Sequence, residues 1–357
     1  MILRSLTCQD FRNLQPAEIA FHPQANLIVG QNGQGKTNLL EAIYFLATTK
    51  SFRTSRLASL FRFGATNVFA SGALHRFGVE KTLSVGLEGG ESRRRALLVN
   101  GERVSLATYV NAMSVFAYSS ARLDILRGAP DERRRFLDRG IASVDHGYLE
   151  SVTRYVRVLK QRNALLHSGR ASGSALDAWD EEFVHAALVL QRARAGYALA
   201  LHEAFSAIVK EHRYRVDNVR MDYRPSSITE LRKLRAQELR ARVSLAGPQR
   251  DLLEFTVDGR AVSEVLSGGE QKMVVLFLKF AKLALFRLRY DEPAVFLLDD
   301  IDAELDLEIL ETLLARLPAA TQVFATSAKG RFLRTLEAGP HRRLTLENGR
   351  VTTAGDL

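Results

Sequence analysis

Apolar positions follow three successive patterns along this chain. The first ~130 residues read as strands and turns. "NLIVG" is a short buried strand, and "TNLLEAIYFLAT" follows at helical spacing. Leu39, Leu40, Ile43, Tyr44 and Leu46 are predicted to share one broad face of that helix. "RALLVNGERVSL" predicts a hairpin, because Asn100-Gly101 supplies the two positive-φ residues of a tight turn. From about Asp131 to Arg240 the period becomes helical. Tyr148, Val152, Tyr155, Leu159, Asn163 and Leu166 recur at steps of three or four. After the break "HSGRASGSA", so do Leu176, Trp179, Phe183, Ala186, Leu190, Ala193 and Tyr197. This predicts an antiparallel helical hairpin, forming a projecting arm. The remaining stretch returns to strands and helices. It has a hairpin turning at Asp258-Gly259, then a helix after Ser267, the strand "AVFLLDD", the helix "LDLEILETLLARL" and the strand "QVFATS". Strands alternating with helices predict an α/β sheet. The expected organisation is a head split in sequence, residues 1–130 and 246–357, flanking an all-α insertion over 131–245.

Composition narrows this little. A chain of 357 residues, 46% hydrophobic and 25% charged, is long enough for about two domains with a sizeable core. No apolar run approaches the ~18 residues of a membrane span, and the N-terminus lacks a signal-peptide stretch. The single cysteine, Cys8, excludes an internal disulfide and any multi-cysteine zinc site. These features predict a cytoplasmic protein. The net charge of +10 suits a polyanionic partner, although most of the basic residues are arginine, as a GC-rich genome also gives.

Two glycine-bearing stretches and one acidic strand end carry chemistry. The run Gly30-Gln31-Asn32-Gly33-Gln34-Gly35-Lys36-Thr37 fits the G-x-x-x-x-G-K-[ST] phosphate loop, between a buried strand and an apolar helix. Its glycines let backbone N–H groups turn inward on β- and γ-phosphates, towards which the helix points its positive end. Lys36 bridges phosphate oxygens in such a loop, and Thr37 ligates Mg²⁺. Downstream, "AVFLLDDIDAELD" ends an apolar strand on two carboxylates. Asp299 is placed to hold Mg²⁺ through water, and Asp300 to orient or deprotonate the attacking water. Aspartate reaches less far than the glutamate usual at the second position, which predicts slow hydrolysis.

The second stretch is Leu266-Ser267-Gly268-Gly269-Glu270-Gln271-Lys272, opening another apolar helix. Ser267 with Glu270 three residues on forms a capping box. Capping alone does not call for two glycines, and a capped helix start is also an anion site.

With these motifs in order, the chain resembles the ABC-type ATPase heads of the SMC family, and more closely the RecF family of bacterial recombination mediators. "LTCQDFRNL" resembles the opening strand and turn. "SFRTS", "RGAPDERRRFLDRGI", "LKQRNALL", "LDAWDEEFV" and "GPQRDLLEF" resemble RecF blocks, the last with Gln249 where the family has His. A Q-loop glutamine is not evident; "FAYSSARLD" stands at its place. Thr326-Ser327 replaces the histidine that transporters use to sense the γ-phosphate.

The resemblance implies ATP and Mg²⁺ as cofactors, with Lys36, Asp300 and Ser267 in the catalytic set. The nucleotide ligands would be Gly30, Gln31, Asn32, Gly33, Gln34, Gly35, Lys36, Thr37 and Asn38, and, from a second copy, Ser267, Gly268, Gly269 and Gln271. Thr37 and Asp299 would serve the metal. It also implies an ATP-dependent homodimer that binds single-stranded, gapped or junction DNA, helps load recombinase with mediator proteins, supports SOS induction and hydrolyses ATP slowly. Basic candidates for DNA are Arg53, Arg56 and Arg62, the run Arg93-Arg94-Arg95, and Arg133 to Arg135, whose phosphate contacts would not read bases. Two other readings stand beside this one: a transport-related ABC ATPase subunit, and a clamp in which ATP binding matters and hydrolysis is incidental.

Overall fold

A computed structural model describes residues 1–89, 94–119, 123–168, 173–229, 231–301, 307–318, 320–327 and 336–356. Its backbone forms two compact units, Met1–Arg122 with Lys272–Leu357, and Leu123–Gln271.

The first unit begins with β1 (Ile2–Gln9), β2 (Glu18–Ala20), β3 (Ala25–Val29) and α1 (Lys36–Thr48). Next come β4 (Asn67–Arg76), β5 (Val79–Glu88), β6 (Arg95–Val99), β7 (Glu102–Arg103), α2 (Leu106–Val110) and β8 (Val115–Ser119). An antiparallel sheet takes the order β2-β1-β4-β5-β6-β7. Along β4 buried and exposed residues alternate at its start, so one sheet face is covered and the other is open. The β6–β7 turn is the expected one, with Asn100 at φ 53° and Gly101 at φ 83°. Helix α1 packs against β4 and β5 of this sheet and against β8. Every residue from Leu39 to Ala47 is buried, including Glu41. A single apolar face was the sequence expectation. The helix is instead enclosed all round, because it has a sheet on each side.

The second unit contains α3 (Asp124–Arg127), α4 (Pro130–Val144), α5 (Tyr148–Ser168), α6 (Gly173–Glu211), β9 (Val219–Arg224), α7 (Leu231–Ala241), β10 (Leu252–Val257), β11 (Arg260–Ala261) and α8 (Val262–Val265). Helices α5 and α6 pack on each other as the periodicity predicts, but α6 also packs on α4 and β9. With 39 residues it is about 58 Å long at 1.5 Å per residue. The insertion is not all helix, since β9 pairs along its full length with β10, Val219 opposite Val257 and Arg224 opposite Leu252. This pairing explains why the compact unit runs to Gln271, whereas the sequence reading ended the insertion at 245. Ladder hydrogen bonds tie "LEFTV" to the inserted segment. The turn after it is the expected one, with Asp258 at φ 50° and Gly259 at φ 79°.

Two family-like blocks meet inside this unit. Arg194 donates to Asp138 at 2.9 Å, to Asp251 at 2.8 Å and to the Pro248 carbonyl at 2.6 Å. It thereby joins "RRFLD" to "GPQRD". Asp251 is fully buried and also accepts from Gln191 Nε2, the Tyr223 hydroxyl and the Ser226 N–H. A second buried guanidinium, Arg162, is held by Asp180, Glu238 and Ser244. Arg134 donates to the Asp251 carbonyl and pairs with Asp131, and Arg135 pairs with Glu132. The Arg134 guanidinium thus serves the fold.

The helix α9 (Gly268–Tyr290) opens at the end of the second unit and continues in the first, followed by β12 (Val295–Asp299), α10 (Leu307–Ala315), β13 (Gln322–Ser327), β14 (His341–Glu347) and β15 (Arg350–Asp356). They complete a sheet of order β15-β14-β3-β13-β12-β8, parallel except for β15. All five residues of β12 and all six of β13 are buried, the continuous pattern of strands covered on both faces.

Candidate nucleotide site

The loop between β3 and α1 is shaped by glycine. Gly30, Gly33 and Gly35 have φ of 150°, 83° and 111°. A Cβ on Gly30 would lie 2.5 Å from the Leu346 carbonyl oxygen, so no other residue fits there. Lys36 Nζ reaches back over the loop to the carbonyls of Gly30 at 2.6 Å and Gln31 at 3.0 Å. Gln31, Asn32 and Gly33 are exposed at its rim.

The back of the loop is clamped by the β14–β15 turn. Gly349 N–H donates to the Gln34 carbonyl at 3.0 Å, and Asn348 N–H to the Gln34 side-chain oxygen at 2.5 Å. Gly349 has φ 75°, and a Cβ there would overlap the Asn13 carbonyl oxygen at 1.8 Å. Gln34 therefore anchors the loop through its side chain. Asn38 is similarly engaged, donating to Asn13 Oδ1 at 2.7 Å and accepting from Arg53 at 2.8 Å. Below them, buried Glu41 receives a two-pronged contact from Arg12, at 2.8 and 2.9 Å, and one from Ser51. Arg53 lies 3.4 Å from the same carboxylate.

The parallel register brings the acidic pair to this loop. Asp299 stands opposite Ser119 on β8, and Thr326 follows the Leu298–Ala325 pair on β13. Asp299 is 4% exposed. It accepts from Thr37 Oγ1 at 2.8 Å, Thr326 Oγ1 at 3.0 Å and Ser119 Oγ at 3.1 Å. Burial raises its pKa above the usual aspartate value, the three hydroxyls pull it down, and neighbouring Asp300 pushes it up. Asp300 is exposed, sits at φ 51° and donates its N–H to Thr326 Oγ1 at 2.8 Å. Thr326 thus braces both aspartates. Where transporters place the histidine that senses the γ-phosphate, the Thr326 hydroxyl is committed to Asp299. Ser119, inside the "FAYSSARLD" stretch, was not singled out in the sequence. Only strand register places it on the carboxylate.

This donor set fits the implied cofactors. A hydroxyl and a carboxylate 2.8 Å apart are hard oxygen ligands of the kind Mg²⁺ takes, beside a loop in which Gly30 and Gly35 leave no room for a Cβ.

In the second unit, Ser267 and Gly268 are exposed at the start of α9. Ser267 donates its N–H to Glu270 Oε2 at 2.8 Å and its hydroxyl at 2.7 Å, and Glu270 N–H donates back to Ser267 Oγ at 3.3 Å. The capping box is formed. These bonds hold the Glu270 carboxyl below its usual pKa, with Arg215 3.6 Å away adding to the effect. Gln271, expected among the nucleotide ligands, is 2% exposed. It accepts from Arg127 at 2.6 Å and donates to the Leu266 carbonyl at 2.7 Å. Its carboxamide braces the turn before the helix and is not presented to a ligand.

The basic candidates scatter. Arg53 serves the loop helix, while Arg62 faces Asp10 and donates to the Leu14 carbonyl. Arg56 and Arg94 are exposed, Arg95 is half-buried, and Arg93 lies outside the described residues. Among the described residues there is no His/Cys/Asp/Glu group able to hold a metal by itself, and no helix is long and apolar enough to cross a membrane.

Residues 2–348 match the family described as RecF/RecN/SMC N terminal domain. The protein called DNA replication and repair protein RecF from Citrifermentans bemidjiense is 33% identical over 98% of this chain and 100% of its own length. Its counterpart in Myxococcus xanthus is 33% identical over 100% of this chain and 98% of its own. This chain belongs to the RecF family. The RecF fold is equally plain in solved structures. The recombination mediator protein RecF-ATP in the RecFOR pathway superposes with a TM-score of 0.90 over 99% of this chain and 98% of its own, at 24% identity. An Smc head bound to the C-winged helix domain of ScpA gives 0.57 over 100% and 98%, at 16% identity. Both likenesses bear on fold alone, the head fold that this RecF family member shares with them.

Proposed function

We propose that this chain is an ATP-gated DNA-binding protein of recombinational repair and replication restart. The observation that carries the reading is Thr37 and Asp299 sharing a 2.8 Å hydrogen bond beside the glycine loop that ends in Lys36. Full-length similarity to proteins named for DNA replication and repair supports the process, and sets aside the transport-related reading.

In this reading Lys36 leaves the Gly30 and Gln31 carbonyls for β- and γ-phosphate oxygens. Loop N–H groups complete the cradle. Thr37 and Asp299 hold Mg²⁺, whose charge offsets that developing on the phosphates. Asp300 orients the attacking water. Its short side chain keeps turnover below the ~10 per second median of enzymes, so the nucleotide acts mainly as a gate.

Ser267, Gly268 and Gly269 supply the other half of the site, to a nucleotide held by a second copy. Two chains then close over two ATP molecules. The γ-phosphate adds contacts only in the dimer, which is the condition for a ligand to drive association. The closed dimer binds gapped or junction DNA and helps load recombinase together with mediator proteins, in the cytoplasm and in support of SOS induction.

Sedimentation with and without ATP, repeated with gapped DNA, tests this. A dimer is expected with ATP and with ATP plus DNA. A chain that stays monomeric in every condition overturns the reading.

A further inference from the structure

The open face of the antiparallel sheet carries a cleft of about 580 Å³ that the nucleotide site does not use. Its floor is the β4–β5–β6 register Phe69 opposite Gly86 opposite Ala96. Phe69 is 36% exposed, an uncommon exposure for a phenylalanine in mid-strand. Gly86 leaves the ring uncrowded: a Cβ there would come no closer than 3.9 Å to Phe69 Cδ2 and 3.7 Å to Ala96 Cβ. Arg94, Arg95 and Arg103 line the same cleft, against Glu88 as the one carboxylate among its described lining residues. Arg95 Nε is buried without a hydrogen-bond partner among the described residues, and burial lowers the guanidinium's pKa. An aromatic ring on an open sheet with arginines around it presents a π-face and phosphate-binding charge together.

We propose that this cleft is a stacking site for an unpaired nucleotide of single-stranded DNA, with Phe69 under the base and Arg94, Arg95 and Arg103 on the flanking phosphates. Duplex bases are already stacked on their neighbours and offer no free face to the ring. The excess of guanidinium over carboxylate favours a polyanion over a protein segment. The inference rests on the DNA-binding reading above and specifies which structure in the DNA is held, and where.

Fluorescence anisotropy with the full chain and ATP tests it, using labelled oligothymidine, the same strand with abasic sites, and a blunt duplex. Phe69→Ala is expected to weaken oligothymidine binding roughly 5- to 150-fold, the range for one lost stacking partner. Duplex binding is expected to stay unchanged. Phe69→Tyr keeps a ring face and should bind as the parent does. Gly86→Val, a substitution that suits a strand, should fill the floor and behave as Phe69→Ala. The parent should bind the abasic strand as weakly as Phe69→Ala binds the intact one, a comparison that stands even if Phe69→Ala does not fold. The platform is overturned if Phe69→Ala binds oligothymidine like the parent, if single-strand and duplex binding fall equally, or if abasic and intact strands bind alike. A parent that binds neither single-stranded nor duplex DNA overturns the DNA-binding reading itself, and the platform with it.

Discussion

Thr37 Oγ1 donates to Asp299 Oδ1 at 2.8 Å, across 262 positions of sequence. The hydroxyl belongs to the first turn of α1 and the carboxylate to the end of β12, so the bond closes only when β3, β13 and β12 are in register. Replacing Asp299 with Asn retains an acceptor for Thr37 but removes the charge a divalent cation needs. Asp299→Asn is expected to fold and to bind ATP without the added affinity that Mg²⁺ gives the parent, measured by calorimetry with and without the metal. An unchanged Mg²⁺ effect would remove Asp299 from the metal site.

Gly349 is as constrained as any glycine of the loop it clamps. A methyl group there meets the Asn13 carbonyl at 1.8 Å, on a backbone at φ 75°. Gly349→Ala is expected to cost at least about 2 kcal/mol in urea unfolding, since both the clash and the left-handed conformation oppose it. ATP affinity should fall with it, because Gln34 loses its anchor.

Arg194 is the joint of the second unit. Removing it leaves fully buried Asp251, and partly exposed Asp138, without their cation, a loss of about 3–5 kcal/mol for a buried pair broken on one side. Arg194→Met should show this in denaturant unfolding while Arg135→Ala, at an exposed i,i+3 pair, stays within about 0.5 kcal/mol of the parent. Equal losses at the two positions would contradict the assignment.

Ser267 and Glu270 give a pH-dependent helix start. The folded Glu270 carboxyl titrates below its unfolded value, so its contribution is present above the unfolded pKa and is lost as pH falls through the folded one. Amide protection at the α9 N-terminus, corrected for the intrinsic pH dependence of exchange, is expected to fall below the ordinary glutamate range, about pH 4.3, with Glu270→Gln flat across that interval. Ser267→Arg should leave ATP binding by the single chain intact and abolish ATP-dependent dimerisation, read by sedimentation.

Cys8 is buried in the antiparallel sheet and its thiol is pushed up to about 12 by that burial. Its thiolate fraction at pH 8 is on the order of 10⁻⁴. Native protein should resist maleimide labelling, and urea should restore it. Rapid native labelling would show that β1 opens.

Local chemistry was readable from the sequence, and long-range pairing was not. Gly30 to Thr37 announces its loop because glycine and lysine there serve one backbone shape. Asn100-Gly101 and Asp258-Gly259 announce turns for the same reason. Asp299 was legible from its place after an apolar strand. Ser119 was not, since a serine in "FAYSS" acquires meaning only from a strand 180 residues away. The strand β9 was missed because "VRMDYR" mixes charge with apolar residues, and its edge position shows only once β10 lies beside it. Arg53 and Arg62 stood in the sequence as basic candidates for DNA phosphates. Their carboxylate and carbonyl partners lie in segments no spacing rule connects to them.

The position of β14 and its turn has a consequence for how the protein is made. Strand β3 is translated long before both its neighbours in the sheet, β13 and β14, and the turn that clamps the phosphate loop follows them. A nascent chain halted before Asn348 carries every residue of the Gly30–Thr37 loop without the wall that shapes it. The loop therefore takes its clamped shape only once Asn348 and Gly349 have been made, long after its own residues.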